Sequence, residues 1–224
     1  MTPSDISAIW ITLQLAFISS VILLFIGTPI AWRLSQSRWR LKPFIEALVA
    51  LPLILPPTVL GFYLLLAFAP ESFLGAGWQQ LTGTHLAFSF SGLVIGSVIY
   101  SLPFVVQPLQ AAFEQLPRNL LEAAATMGAK PLDRFMTIVM PITKRSFITA
   151  ASLAFAHTIG EFGVVLMIGG NIPGSTQVVS IALYDHVETM NYGQAHMLAG
   201  GLLVFSLVLL TAVYWGNRGA RLWR

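Results

Sequence analysis

Hydrophobic positions along this chain gather into five long runs, at roughly 8–32, 46–69, 88–112, 147–170 and 196–216. A helix rising 1.5 Å per residue needs about 20 apolar residues to cross a bilayer, and each run supplies them. The pattern predicts an all-α integral membrane protein, a single transmembrane domain over 1–224 with five spans. The polar positions between the runs set its direction. All 12 Lys and Arg residues fall into three stretches: Arg33, Arg38, Arg40 and Lys42; Arg118, Lys130, Arg134, Lys144 and Arg145; and Arg218, Arg221 and Arg224. Cationic loops stay on the cytoplasmic side during insertion, and an odd number of crossings places all three clusters there. The expected topology has the amino terminus outside and the carboxyl terminus in the cytoplasm. Its outer loops carry Glu71, Asp185 and Glu188 but no Lys or Arg.

Composition narrows the class further. Hydrophobic residues make up 56% of the chain and charged residues 9%, where a soluble domain carries about 25% charged. The net charge of +3 sits beside apolar spans, so it suits lipid headgroups or an acidic cytoplasmic partner and not nucleic acid. The chain has no cysteine, which excludes disulfides, thiolate metal sites and Cys nucleophiles. No Lys or Arg precedes Arg33, so the first run lacks the basic start of a secretory signal and is expected to remain as a span.

Proline placement predicts bent helices. Pro29 lies in the first run, Pro52, Pro56 and Pro57 in the second, and Pro103 and Pro108 in the third. Each removes a backbone donor and bends its helix, and the freed carbonyls are tolerated where protein or water covers them. Leu55-Pro56-Pro57 is the expected hinge or pathway element. The stretch 164–183, with Gly169-Gly170 and Asn171-Ile172-Pro173-Gly174, is where the chain is expected to be able to dip back into the membrane.

The cytoplasmic loop over 114–142 is unlike a plain connector. Asn119 is placed to cap a helix with Glu122 at its third position, a capping-box spacing. Leu120, Leu121, Ala124 and Met127 recur at helical spacing as one apolar stripe. Gly128 ends the helix and Pro131 blocks its continuation. The result is a short amphipathic helix whose polar face is not basic enough for an interfacial anchor, and whose shape suits docking into a groove of another protein.

Glu122-Ala123-Ala124, Gly128 after three further residues, and then Ile138 and Pro141 resemble the "EAA" loop of permease subunits of ABC importers. Met140 stands where that family usually has Leu. Gly160-Glu161-Phe162-Gly163, the following Asn171–Thr176 and Ser180–Tyr184 stretches, and Leu53–Gly61 are similar to the molybdate branch of type I importers, over about 8–216. The resemblance implies a multi-pass protein of the bacterial plasma (inner) membrane. It further implies a homodimer sharing one path, two cytoplasmic ABC ATPase subunits and an extracytoplasmic oxyanion-binding protein. Glu122, Ala123, Ala124, Met127 and Gly128 would form the coupling helix, with Ile138 and Pro141 bracing it. Pro56, Pro57, Gly160, Glu161, Phe162 and Gly163 are the expected path or gate.

The remaining chemistry fits a subunit that carries no catalytic residue, cofactor or metal of its own. None of the three lysines follows a phosphate-loop pattern, so ATP and its Mg belong to the partner ATPase. No cation falls within a span, so capture of an anion would rest with another protein. Glu161 is the acidic residue deep in a span, one turn after His157, and an ionisable group in lipid is a functional candidate by default. At i and i+4 the two are expected to share a helix face. A bond from Glu161 to backbone or hydroxyls near a gate, a buried pair locking the dimer, and a proton relay in a secondary transporter or channel all remain open. Sulfate and tungstate stay beside molybdate as cargo. Asp185, His186 and Glu188 form an outer acidic cluster expected to be a solvated loop; His85, His186 and His196 stand apart from any triad or zinc pattern.

Overall fold

The computed structural model describes residues 2–218; Met1 and 219–224, with Arg221 and Arg224 of the third basic stretch, lie outside the described residues. Helices account for all regular structure among the described residues. Helix α1 (Pro3–Gln36) opens on a capping box. Asp5 N–H donates to Thr2 Oγ1 at 3.2 Å, and Thr2 N–H donates to Asp5 Oδ2 at 2.7 Å. It runs through Pro29 without a break, and at 34 residues it spans about 51 Å. A Cβ at Gly27 would stand 2.8 Å from Val105 Cγ1, so glycine lets the backbone approach the helix that it packs against most.

That neighbour is α5 (Phe90–Glu114), capped by Ser89, whose Oγ accepts from Gly92 N–H at 3.1 Å. It lies at the centre, packed on α1 and on α8 (Met140–Gly160). The second apolar run forms two helices, α2 (Lys42–Ile54) and α3 (Pro57–Phe68), bent by 109°. Pro56 and Pro57 lack N–H groups, and Pro56 drives Leu55 into the extended region, so a helix cannot continue through them. Between α3 and α5 the expected outer loop holds a helix, α4 (Phe73–Thr82), set by the Ser72 cap and by left-handed Gly83 at its end.

The fourth run also breaks. A helical rod begins at Pro131 as α7 (Pro131–Arg134), passes through a π turn at Phe135–Val139 and continues as α8. It stops at Gly160, and α9 (Gly163–Gly169) leaves at 61°. Two more helices follow, α10 (Val179–Glu188) and α11 (Tyr192–Arg218). Three helices, α1, α5 and α11, are long and apolar enough to cross a membrane alone, and five crossings result if each bent pair counts as one.

The interior has two large apolar clusters with a polar belt between them, and a smaller third one of Ala8, Val179, Ala182 and Leu198 that joins α1, α10 and α11. Leu15, Leu93, Val164 and Ile168 belong to one of the large clusters, Leu23, Val105, Leu109 and Ala154 to the other. Along each of three helices the residues between the clusters are polar and buried: Ser19 and Ser20 on α1, Ser97 and Ser101 on α5, Thr158 on α8. Glu161, also buried, follows directly after α8.

Candidate functional site

The belt meets both helix breaks. Glu161 lies in the extended residue that ends α8 and is 4% exposed. Ser97 Oγ donates to Glu161 Oε2 at 3.0 Å, and Ser180 Oγ of α10 donates to the Glu161 carbonyl at 2.6 Å. That second bond satisfies an oxygen which the break would otherwise leave bare in an apolar interior. Glu161 Oε1 is buried with no hydrogen-bond partner among the described residues. One turn along α5, Ser101 Oγ lies 2.9 Å from His157 Nδ1 and 3.4 Å from Thr158 Oγ1. The rings of Tyr100 and Phe104 flank His157, with centroids at 4.8 and 4.1 Å.

His157 and Glu161 do not bond to one another: each turns to its own serine on α5, Ser101 and Ser97, which are themselves one turn apart. The helix ends at Gly160, and Glu161 is the extended residue that caps it. Both partners were missed from sequence. Ser97 and Ser101, four apart in the middle of α5, were the available signal.

A cavity of about 540 Å³ opens beside these groups, lined by Pro57, Thr58, Tyr100, Ala156, His157, Gly160, Glu161, Phe162 and Gly163. The structure therefore brings Pro57 to the Gly160–Gly163 segment, although about 100 residues separate them in sequence. Pro56 caps α3 beside it. The contact depends on two glycines. A Cβ on Gly163 would stand 2.7 Å from Pro57 Cβ, and one on Gly61 2.7 Å from Met167 Cβ. Gly160, by contrast, has open space on its Cβ side, so close approach belongs to Gly163 and not to the Gly160/Gly163 pair.

On the basic side, α6 (Arg118–Thr126) is the helix expected over the cytoplasmic loop, with a different start. Pro117 occupies the cap position with no side-chain bond, and Arg118 is the first helical residue. Asn119 lies inside the helix, its Oδ1 accepting from Leu120 N–H, so the capping box with Glu122 is absent. Proline, preorganised for the turn into a helix, wins the position. The end is as expected. Gly128 has φ +84°, Ala129 N–H donates to Ala124 O and Gly128 N–H to Ala125 O, both at 3.0 Å, which is the Schellman pattern.

The apolar stripe divides by direction. Ala124 is buried and Leu121 half-buried against the body, while Leu120 and Met127 are exposed beside Glu122 and Ala123. Ile138 is half-buried in the π turn and Pro141 is exposed. The observed contacts behind α6 run through Arg134, whose Nη1 donates to Leu121 O at 3.4 Å, and through Phe135 and Val139 in the same apolar cluster as Leu121. On the other face, Asp185 and His186 lie on α10 instead of a loop. Asp185 accepts from Asn171 and Gln177, and His186 Nε2 lies 2.8 Å from Asp5 Oδ1.

Broken helices around an open cavity with a buried carboxylate in its wall, and an exposed helix on the basic side, fit a membrane transport component. The chain belongs to the family described as binding-protein-dependent transport system inner membrane component, which matches residues 23–221. It is 56% identical over 218 residues to the molybdenum transport system permease protein ModB of Azotobacter vinelandii, covering 97% of this chain and 96% of that protein. A probable sulfate transport system permease protein, cysT of Nephroselmis olivacea, is 30% identical over 95% of this chain and 75% of its own length. Among solved structures, the MetNI methionine ABC transporter in inward-facing form matches with a TM-score of 0.75 at 17% identity, over 97% of this chain and 98% of that one. At that identity the likeness bears on the fold alone.

Proposed function

We propose that this chain is the permease subunit of an ATP-driven importer for molybdate, working as a homodimer whose two copies share one path. The observation that carries this is the 56% identity to a molybdenum permease over nearly the whole of both chains. The extracytoplasmic partner follows from the family's dependence on a binding protein. In this reading all three basic stretches face the cytoplasm and α6 seats in a groove of an ATPase subunit, with Glu122, Ala123, Met127 and Gly128 on or beside the docking face. The rod from Pro131 to Gly160 gives the coupling a lever, because one continuous helix joins the base of α6 to the break at Glu161.

The cavity between Pro57 and Gly163 is the gate in this scheme. Its lining holds no Lys or Arg, so a dianion would meet hydroxyl, ring and backbone dipoles, with the Glu161 carboxyl group bonded to Ser97, and nothing there would hold it tightly. High-affinity capture would then rest with the binding protein.

A sulfate importer is the second reading, favoured by the sulfate permease relative. One experiment separates them: purify the chain with its ATPase, add the binding protein loaded with molybdate, tungstate or sulfate, and measure ATP hydrolysis. Stimulation by the molybdate-loaded protein is expected. Uptake by this chain alone, driven by a proton gradient, would overturn both.

A further inference from the structure

Two cavities on the basic side share a wall. The first is an apolar groove of about 840 Å³ between α1 and the start of the rod, whose lining includes Leu24, Phe25, Trp32, Leu132, Met136 and Phe147. The second, about 410 Å³, is polar; Arg118, Glu122 and Arg134 line it, and Trp32 and Pro131 line both. Phe25 is 83% exposed and Leu132 69%, so the groove's rim is bare on the outside of the chain. Among the described residues, Arg134 Nε in the polar cavity is buried with no hydrogen-bond partner, and neither Arg118 nor Arg134 forms an ion pair. A buried guanidinium nitrogen without an acceptor is costly, and an acceptor entering the cavity that Trp32 and Arg134 line would offset that cost.

The geometry points to a binding site for one anionic phospholipid of the cytoplasmic leaflet. Its acyl chain lies in the groove along Leu24, Phe25 and Met136, and its phosphate rests on Arg118 and Arg134. Trp32 sits at the junction, where an indole belongs at the boundary of hydrocarbon and headgroup. Basic pockets between membrane helices on the cytoplasmic side recognise such headgroups. The single carboxylate in the cavity, Glu122, leaves a cationic excess of one, matched to a singly charged headgroup. The lipid would brace the base of α6 against α1, making coupling depend on leaflet composition. This rests on the cytoplasmic placement of the second basic stretch proposed above; binding is read without transport, so the two ideas fail separately.

The test uses the full chain, purified in detergent, stripped of lipid and titrated with phosphatidylglycerol or phosphatidylcholine under native mass spectrometry. One phosphatidylglycerol per copy should be retained in preference to phosphatidylcholine, by about fivefold for each arginine engaged. Arg118→Ala with Arg134→Ala should abolish the preference, and Arg118→Lys with Arg134→Lys should keep much of it. Met136→Trp, which fills the groove, should weaken both lipids. Equal retention of the two lipids, or a preference unchanged in the alanine variant, overturns the proposal. So does efficient cross-linking of two copies through Phe25→Cys in this cysteine-free chain, since a second copy would then occupy the groove.

Discussion

Glu161 is held by one serine hydroxyl on its side chain and another on its carbonyl, and the two bonds separate its roles. A glutamine amide oxygen at this position can still accept from Ser97, so Glu161→Gln should insert, fold and transport if the carboxylate serves to shape the break. Glu161→Ala leaves Ser97 Oγ without its Glu161 acceptor and should cost about 1–3 kcal/mol, seen as a lower thermal midpoint in detergent. If uptake in vesicles falls equally in both variants while the glutamine variant keeps its stability, the charge itself matters and the shaping role is wrong. At the other end of the rod, Gly128 has a left-handed φ of +84°. Gly128→Ala should cost about 1 kcal/mol, whereas Gly128→Pro also removes the N–H that closes on Ala125 O. Binding-protein-stimulated ATP hydrolysis should drop in the proline variant with insertion intact; normal stimulation would remove α6 from the coupling scheme. Both residues stood out in sequence as candidates, Glu161 as an acid deep in an apolar run and Gly128 as a glycine at a helix end three residues before Pro131. The partners of Glu161 were harder to read, since nothing near Glu161 points to them and the spacing of Ser97 and Ser101 on a distant helix was the available sign.

At the scale of elements, the two interrupted helices act as a pair. The halves after each break, α3 and α9, pack against one another, and glycine is needed where they touch. Gly163→Ala would place a Cβ 2.7 Å from Pro57 Cβ, a side chain fixed by its ring, so the helices must part. A cost of about 1–3 kcal/mol is expected, as for other overpacked contacts, with Gly61→Ala similar against Met167. Gly160→Ala has open space and serves as the control; if it destabilises as much as Gly163→Ala, the packing account fails. The first break was legible because consecutive prolines remove adjacent donors. The second was not: nothing at Gly160–Gly163 forbids a helix, and tertiary bonds from Ser97 and Ser180 hold the extended residue instead. Asn119 failed as a cap for the converse reason, a stronger local signal in Pro117 two residues earlier. Helix α4 carried its own signals in Ser72 and Gly83, masked by the expectation of a loop.

For the whole molecule, the question is what covers the surfaces that one chain leaves bare. In α11, only 6% of the most apolar window is buried within the chain, and lipid suffices for a face so uniformly apolar. The cavity at the two breaks is different, because Thr58, His157 and Glu161 set polar groups into its largely apolar wall, and those groups are poorly matched to acyl chains. The second copy proposed above would cover that opening. Homodimers close about a two-fold axis, so a residue near the axis meets its own counterpart. A path shared between two copies must run along that axis. Thr58 is exposed at the cavity edge and should therefore approach Thr58 of the other copy. In this chain without cysteine, Thr58→Cys should give a disulfide-linked dimer on mild oxidation in membranes. Leu207→Cys, on the exposed face of α11, should form no disulfide link under the same treatment. Substrate-loaded binding protein and ATP should change the Thr58→Cys cross-linking rate, because a gate that opens must move the walls of its own axis. Cross-linking through Leu207→Cys and none through Thr58→Cys would place the dimer contact on α11, leave the cavity facing lipid, and refute a shared path at the helix breaks.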